Sequence, residues 1–269
     1  MAAAALLLTA QGGRAATPLA PGGTWTVDVA NGQCALKRAY GTGNAMQLGI
    51  WPVTGGEQVR ILMRGHDPAW RSRQGFAQIA LDGKIVAHDL PYVTARDART
   101  DLRSTLLGVK RSELAGLGAA ATMRVKAGGQ PETVFSLSGI GEALGMLEDC
   151  ESKLARGWGV DYDPRFQGPD AASKARNPKP RAPEKWLDGY QYPWEALRHG
   201  QIGKTMFRLT VDAQGRPTDC TIIISSNWAA LDEATCAAMR ARASFDPALD
   251  EKGNPRPGIW ATVFRWEMQ

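Results

Sequence analysis

The sequence has few of the residues that build metal centres and catalytic sites. Only three of its 269 residues are histidines, and none of them lies near a cysteine in the sequence. The four cysteines include no C-x-x-C pair. Because zinc ligands usually come in close pairs, we expect no metal site. The chain also lacks the motifs G-x-S-x-G, P-loop and H-E-x-x-H, so we predict a protein that is not an enzyme and needs no cofactor.

No apolar run is long enough to cross a membrane as a helix. About 20 apolar residues are needed to span roughly 30 Å of hydrocarbon, whereas Ala2–Ala10 is only nine residues long. This run and the small residues Gly13 and Ala15 of Gly13-Arg14-Ala15 are typical of a secretory signal, so residues 1–21 are predicted to be a signal peptide-like or disordered segment. No lysine or arginine precedes the run. A start further upstream would explain that and would allow an inner-membrane anchor; in the sequence as it stands we expect none.

Basic residues are spread too thinly for a nucleic-acid-binding protein. Lysines and arginines number 32 against 27 acidic residues, a net charge of +5. They are concentrated only between Lys174 and Lys185, in a stretch that is rich in proline and has no aromatic residue before Trp186. A nucleic-acid-binding protein would more often show a dense basic stripe or an aromatic platform, so we expect no nucleic-acid partner.

Residues 22–160 are predicted to form a mainly antiparallel β domain that ends in one helix. Short segments of alternating polar and apolar residues recur between turn residues. The dipeptide Asp82-Gly83 favours a tight hairpin, and Gly55-Gly56 interrupts the pattern between two segments. From Ile140 to Leu154 the apolar residues fall three and four apart, which predicts a helix. The predicted strands are Gly23–Val29, Cys34–Leu36, Met46–Ile50, Val59–Met63, Phe76–Leu81, Ile85–Ala87 and Val134–Leu137.

The four cysteines favour two disulfide bonds, because an even count in an exported chain is typical of oxidised pairs. Cys150 lies on the apolar face of the predicted helix and therefore points toward the sheet, where Cys34 is located. A Cys34–Cys150 bond would close nearly the whole domain into one loop, which gives about 4–5 kcal/mol by the chain-entropy model. The alternative is that all four cysteines are buried free thiols.

Residues 161–187 are predicted to be a linker between two domains. Five prolines are mixed there with Gly, Ser, Lys and Arg, and no apolar periodicity remains. The segment Asn177-Pro178-Lys179-Pro180 favours the extended polyproline form. Even when fully extended, at about 3.1 Å per residue, the linker would reach only about 75 Å.

Residues 188–269 show the order helix, strand, strand, helix, strand. Pro193 in the first turn and Gly200 at the end are typical of a short helix. A hairpin loop with Gly215 at its positive-φ position follows the first strand, and Asp232 or a neighbour is expected to cap the second helix. The predicted elements after the first helix are Met206–Val211, Cys220–Ser225, Leu231–Arg242 and Ile259–Trp266.

A series of short motifs runs through this region, each weak alone but specific in order and spacing. They are Tyr192-Pro193, Ala196-Leu197, Gly200-x-x-Gly203, Val211-Asp212-x-x-Gly215-Arg216, Ser225-Ser226, Leu231-Asp232 and Phe245-x-Pro247-Ala248. Together they resemble the TonB carboxy-terminal domain family over residues 188–269, whereas the amino-terminal domain resembles no family that we recognise. The resemblance implies an αββαβ domain. The predicted fold class is therefore α+β: a mainly antiparallel β domain with one helix at its end, a proline-rich linker, and the TonB-like domain.

The resemblance also implies a binding site and a partner. In the family, the domain receives an extended peptide, the TonB box of an outer-membrane receptor. An exposed strand edge presents unpaired N–H and C=O groups, and the peptide completes the ladder. Gln191 and Tyr192 would make secondary contacts with this peptide. The alternative to peptide binding is that the edge strand pairs with a second copy of the chain in a homodimer. By resemblance, the edge strand would consist of Ile259, Trp260, Ala261, Thr262, Val263, Phe264, Arg265 and Trp266.

Two departures from the family pattern matter. Many members carry a Trp-Arg pair where this chain has Ala243-Ser244, so Trp228 or Trp260 is expected to fill that part of the core. The second departure is the pair Cys220 and Cys236, which would lie on a strand and on the helix packed over it. A Cys220–Cys236 disulfide would lock the helix to the sheet and give about 3 kcal/mol by the same entropy model.

Two functions follow from the resemblance. The first is a periplasmic TonB-like protein that binds the receptor peptide, with a role in energy transduction for receptor-mediated uptake if a membrane anchor exists. The second is a non-catalytic periplasmic structural or scaffolding protein that forms dimers and has lost the transducer role. No ligand of the amino-terminal domain is indicated by its residues.

Overall fold

The computed structural model describes residues 16–30, 32–66, 73–164, 173–186 and 192–268. The amino-terminal region folds into one sheet of nine antiparallel strands, as the alternating segments predict. Every strand pairs with its neighbours in antiparallel register, in the order β1-β2-β3-β4-β7-β6-β5-β8-β9. The strands are β1 (Thr26–Ala30), β2 (Gln33–Tyr40), β3 (Met46–Pro52), β4 (Gln58–Gly65), β5 (Arg73–Leu81), β6 (Lys84–Arg96), β7 (Arg103–Lys110), β8 (Thr122–Ala127) and β9 (Thr133–Ser136).

The hairpin predicted at Asp82-Gly83 joins β5 to β6. Leu81 and Lys84 are paired, and the two residues between them have φ values of 46° and 83°. Two consecutive positive φ values are what a two-residue hairpin of this kind requires, and Asp-Gly tolerates them. The prediction of this turn is confirmed.

The sheet curls, and the segment Leu19–Pro21 lies beside both β9 and the end of β2. Leu19 donates from its backbone N–H to the carbonyl of Val134 at 2.7 Å, and Gly41 donates to the carbonyl of Ala20 at 2.9 Å. The last strand and the second strand are thereby joined through one short extended segment. The core enclosed by the sheet contains the fully buried side chains Leu36, Tyr40, Leu48, Ile50, Ile61, Ile79, Leu107 and Phe135.

Helix α1 (Ile140–Gly157) packs across this sheet. It begins where the apolar periodicity begins and continues one turn past the predicted end at Leu154. The side chains of Ala143, Leu144 and Leu147 are buried in the core, as their spacing of three and four residues predicts. The predicted Cys34–Cys150 disulfide is formed between β2 and this helix, with the two Cα atoms 6.1 Å apart.

The carboxy-terminal region has the predicted order helix, strand, strand, helix, strand, with short strand pairs added. Its central sheet has three antiparallel strands in the order β12-β11-β16. The Cys220–Cys236 disulfide joins β12 to α3, with Cα atoms 5.6 Å apart, so this predicted bond is also confirmed. The elements are β10 (Lys179–Pro180), α2 (Trp194–Arg198), β11 (Gly203–Val211), β12 (Pro217–Ile224), α3 (Ala229–Arg242), β13 (Phe245–Asp246), β14 (Ala248–Leu249), β15 (Pro255–Arg256) and β16 (Gly258–Trp266).

Trp260 fills the core near the departure at Ala243-Ser244, whereas Trp228 remains 41% exposed. The ring of Trp260 lies 5.3 Å from that of Phe245, centroid to centroid. A second tryptophan, Trp186, has its ring centroid 5.5 Å from that of Trp260 and comes from the predicted linker, where no pattern indicates a core residue. Three aromatic rings in edge-on contact therefore occupy this part of the core.

Asp232 does not cap α3. Its carboxylate instead accepts hydrogen bonds from the Ser225 hydroxyl at 2.5 Å and the Ser226 backbone N–H at 3.0 Å. A third bond comes from the Thr205 hydroxyl at 2.8 Å, on β11. The side chain therefore ties the helix to the loop before it and to the central strand.

The described parts of residues 161–187 pack against folded regions on both sides. Tyr162 and Trp186 are buried, and β10 pairs with β13. The carbonyl of Pro164 accepts a hydrogen bond from the Arg111 guanidinium at 2.6 Å. The domain boundaries stay a prediction.

None of the helices within the described ranges combines the length and the apolar character that crossing a bilayer requires.

Candidate functional site

Strand β16 is one of the two outer strands of the carboxy-terminal sheet, and β12 is the other. It pairs with β11 along its whole length, from Val211 opposite Gly258 to Gly203 opposite Trp266, without a register shift. Among the residues that the structure describes, no strand pairs with its other side. The predicted peptide-binding residues therefore lie on one continuous strand with one open side.

The backbone groups that face the open side belong to every second residue of β16. The N–H of Ala261 points away from β11, because it donates to the carbonyl of Gly55 at 2.9 Å. In an antiparallel strand, the N–H and C=O of one residue share a direction, and the direction alternates along the chain. The N–H and C=O of Val263 and Arg265 therefore also face the open side.

The first half of β16, which we term the covered half (Gly258–Ala261), is buried against α1, the residues that follow it and the end of β3. Ile259 packs with Ala155 of α1 and with Tyr162. Ala261 packs with Val53, at the end of β3. Apolar contacts and the hydrogen bond to Gly55 thus cover this half on its open side and on one face.

The second half, which we term the open half (Thr262–Trp266), is more accessible. Val263 is 39% exposed, and the side chain of Arg265 is exposed and forms an ion pair with Glu267 at 3.0 Å. Thr262 and Phe264 are half-buried, on the face that the helices cover. Side chains along the open half thus alternate between exposed and covered positions, and the two halves of the strand differ in what covers them.

Trp266 is an anchor of the fold at the end of the strand. It is 5% exposed, and its indole N–H donates to the Thr235 hydroxyl of α3 at 3.0 Å. The ring of Tyr192, the predicted secondary contact, lies edge-on against it with centroids 5.1 Å apart. The Tyr192 hydroxyl donates to the Gln201 carbonyl. The structure therefore brings Tyr192 to the open half, while Gln191 lies outside the described residues.

Arg208, opposite Ala261 on β11, connects the carboxy-terminal sheet to the end of α1. Its guanidinium lies over the ring of Trp158 at 3.6 Å from the centroid, and it donates to the Thr221 hydroxyl at 3.0 Å. Burial lowers the pKa of this guanidinium, and the charge of Asp219 opposes that effect. A stacked arginine of this kind is a specific contact, because its planar cation matches the face of the indole.

Sequence reasoning missed the part of the site that comes from the amino-terminal domain. Gly55 and Gly56 were interpreted only as a break between two strands, yet they lie directly against β16. A Cβ atom on Gly56 would be 2.6 Å from the carbonyl oxygen of Ala261. The only local signal is the Gly-Gly pair itself, which permits such a close approach of two backbones. Among the described residues, no group of three or more His, Cys, Asp or Glu side chains is arranged to hold a metal ion.

Comparison with known families agrees with the motifs of the carboxy-terminal region. Residues 189–268 match the family model described as Gram-negative bacterial TonB protein C-terminal. The amino-terminal region matches no family model. No curated protein and no solved structure matches the chain. The resemblance predicted from the sequence is thus confirmed for this region. The matched family is a non-catalytic, transport-associated domain.

Proposed function

We propose that this protein is a non-catalytic, periplasmic TonB-like protein that binds an extended peptide of an outer-membrane receptor by strand addition to the open half of β16. The match over residues 189–268 supports a TonB-like periplasmic protein with a role in receptor interaction. Energy transduction would additionally require a connection between this domain and the inner membrane, so peptide binding is the step that we propose.

The observation that carries the proposal is the open half of an otherwise well-paired strand. The backbone N–H and C=O groups of Val263 and Arg265 face the open side, and Val263 itself is 39% exposed. An added peptide strand would pair with these groups, and main-chain hydrogen bonds of this kind provide affinity without demanding one sequence. Neighbouring side chains would then select the peptide.

The two disulfide bonds support an exported location. Each joins a strand to the helix that packs on it, through side chains that are buried or half-buried. Structural disulfides persist in oxidising compartments such as the bacterial periplasm and are rare in the cytosol.

The proposal is tested by removing one hydrogen-bond donor from the open half. Val263→Pro deletes the outward-facing N–H but leaves the pairing with β11 intact, because the paired groups belong to the neighbouring residues. We expect affinity for receptor-derived peptides, measured by titration calorimetry, to fall about fivefold or more, as one net hydrogen bond is lost.

Val263→Ala is the matched control, because it shortens the side chain and keeps the N–H. Its affinity should remain within about twofold of the original. If both variants bind as the original protein does, or if no receptor peptide binds at all, peptide addition at this edge is wrong.

The second candidate is a structural protein whose open half pairs with a second copy. The same outward-facing groups favour it, because an unpaired edge can template a second identical strand. Sedimentation of the full chain distinguishes the two: a dimer that Val263→Pro dissociates supports self-pairing, and a monomer that binds peptide supports the receptor role.

A further inference from the structure

A turn of the amino-terminal domain lies beside the covered half of β16, where a peptide would otherwise continue. The turn runs from Val53 to Gln58, between β3 and β4, and we term it the Gly55-Gly56 turn. It is closed by two backbone hydrogen bonds, from Val53 N–H to the Gln58 carbonyl and from Gly56 N–H to the Val53 carbonyl, each 2.8 Å long. Gly55 has a φ of 88°, a conformation that favours glycine.

This turn already occupies a position on the edge of the strand. The Gly55 carbonyl accepts the outward-facing N–H of Ala261 at 2.9 Å. Gly56 approaches the Ala261 carbonyl so closely that it leaves no space for a side chain. The hydrogen-bonding groups of Ala261 are therefore not available to another strand while the turn is in place.

Contacts on both sides hold the turn in this position. Tyr162 is buried behind it, and burial raises the pKa of its hydroxyl, although the charge of Arg111 and a hydrogen bond from the Gly55 backbone oppose the rise. Arg111 is in turn fixed by Glu151 of α1, with nitrogen and oxygen 3.0 Å apart. A chain of buried polar contacts thus connects α1 to the turn and through it to β16.

We propose that the Gly55-Gly56 turn is a register stop that forms one end of the peptide site. An added peptide then pairs only with the open half, through the backbone groups of Val263 and Arg265. The paired length is at most five residues, about 17 Å at roughly 3.4 Å per residue. The partner that fits is a short extended segment whose chain turns away from the sheet at the stop. This inference rests on the proposed function and adds the length and register of its ligand.

The first test is a length series of receptor peptides on the unmodified full chain. Affinity should rise until about five residues can pair and then remain constant within about twofold. A steady increase up to eight or ten paired residues, with loss of amide protection between Ala261 and Gly55, would show that the peptide displaces the turn and would overturn the stop.

The second test opens the covered half with Gly56→Ala. Gly56 does not have a positive φ, so alanine is compatible with its backbone, but its Cβ would meet the Ala261 carbonyl at 2.6 Å. We expect the turn to move off the strand, so that Ala261 exchanges its amide proton faster. Longer peptides should then bind about fivefold more tightly, because they can also pair with the freed backbone groups of Ala261.

Gly49→Ala is the control for this variant. Gly49 lies within β3 of the same sheet, and a Cβ there would be 3.6 Å from its nearest neighbour, an ordinary contact. It should change neither Ala261 exchange nor peptide affinity. If Gly56→Ala exposes Ala261 but the longest peptides bind no better, the stop is wrong while peptide binding stands. If no peptide binds to either protein, the proposed function fails, and the stop fails with it.

Discussion

The outer strands of the two sheets differ in what lies beside them. In the amino-terminal sheet, the segment Leu19–Pro21 lies along β9 and bonds to the end of β2. In the carboxy-terminal sheet, β16 is covered over its first half only. Unpaired strand edges promote association, and proteins usually cover them. The open half of β16 is thus a strand edge that the described part of the chain leaves unpaired.

The two sheets are also stabilised in comparable ways but over different distances. In each, one disulfide joins a strand to the helix that packs on it. The sequence separation is 116 residues for Cys34–Cys150 and 16 residues for Cys220–Cys236. The first bond therefore constrains a whole domain, whereas the second constrains one strand-to-helix connection.

The largest expected effect comes from removing these bonds one at a time. Replacing Cys34 and Cys150 by alanine should lower the free energy of unfolding of the amino-terminal sheet by about 4–5 kcal/mol. Replacing Cys220 and Cys236 should lower that of the carboxy-terminal sheet by about 3 kcal/mol. Chemical denaturation, with amide exchange of the residues in each sheet as the readout, measures both losses in the free energy of unfolding. Equal losses would contradict the dependence on loop length.

The next effect concerns a buried ion pair in the amino-terminal domain. Glu151 is fully buried and accepts from the Arg111 guanidinium at 3.0 Å. Glu151→Gln leaves the arginine charge buried without its anionic partner, so we expect a loss of about 3 kcal/mol in the free energy of unfolding. Asp149→Asn, two residues earlier in α1 and exposed, is the control and should change stability by less than about 0.5 kcal/mol. A similar result for both variants would show that the pair contributes little.

A smaller effect is expected at Asp232, which ties α3 to the carboxy-terminal sheet. Burial alone would raise its pKa, but hydrogen bonds from Ser225, Ser226 and Thr205 outweigh that and lower it. A carboxyl group whose pKa is lowered in the folded state stabilises the fold at pH values above its unfolded-state pKa, which is about 4. This contribution is lost as the pH falls through the folded-state pKa.

Asp232→Asn should therefore cost about 1 kcal/mol at pH 7, from weakened hydrogen bonds to a charged acceptor that is only partly buried. The difference from the unmodified protein should shrink at pH 3. Denaturation by urea at the two pH values measures it, and a difference that does not depend on pH would contradict the role of the charge.

Much of the fold could be predicted because its elements carry regular patterns. The apolar spacing of Ala143, Leu144 and Leu147 indicated α1 and the direction in which Cys150 points. The turn at Asp82-Gly83 was predicted from a dipeptide that suits one conformation. In the carboxy-terminal domain, the spacing of the motifs predicted the element order.

Strand β7 could not be predicted in the same way. In β7, the buried position 105 is a threonine, and its hydroxyl pairs with that of Thr94 on β6 at 2.7 Å. Each of these hydroxyls can be buried because the other one satisfies its hydrogen bond. A polar residue thus occupies a buried position, which breaks the alternation of polar and apolar residues on which the prediction of a strand depends.

The covered half of β16 was also beyond prediction, for a different reason. The contact between Gly55 and Ala261 joins two backbones, so no side-chain pattern records it. Tyr162 and Trp186 are buried as single residues among prolines and basic residues, and isolated apolar residues have no period. The sequence could therefore indicate the edge strand but not which half of it is open.

The most direct test of peptide binding at the open half is a residue-by-residue measurement of amide exchange in the full chain, with and without a receptor peptide. On binding, Val263 and Arg265 should exchange at least about tenfold more slowly, while Ala261, already bonded to Gly55, should not change. Exchange at Val263 and Arg265 that is unaffected by a saturating peptide would contradict the account, whatever other surface the peptide occupies.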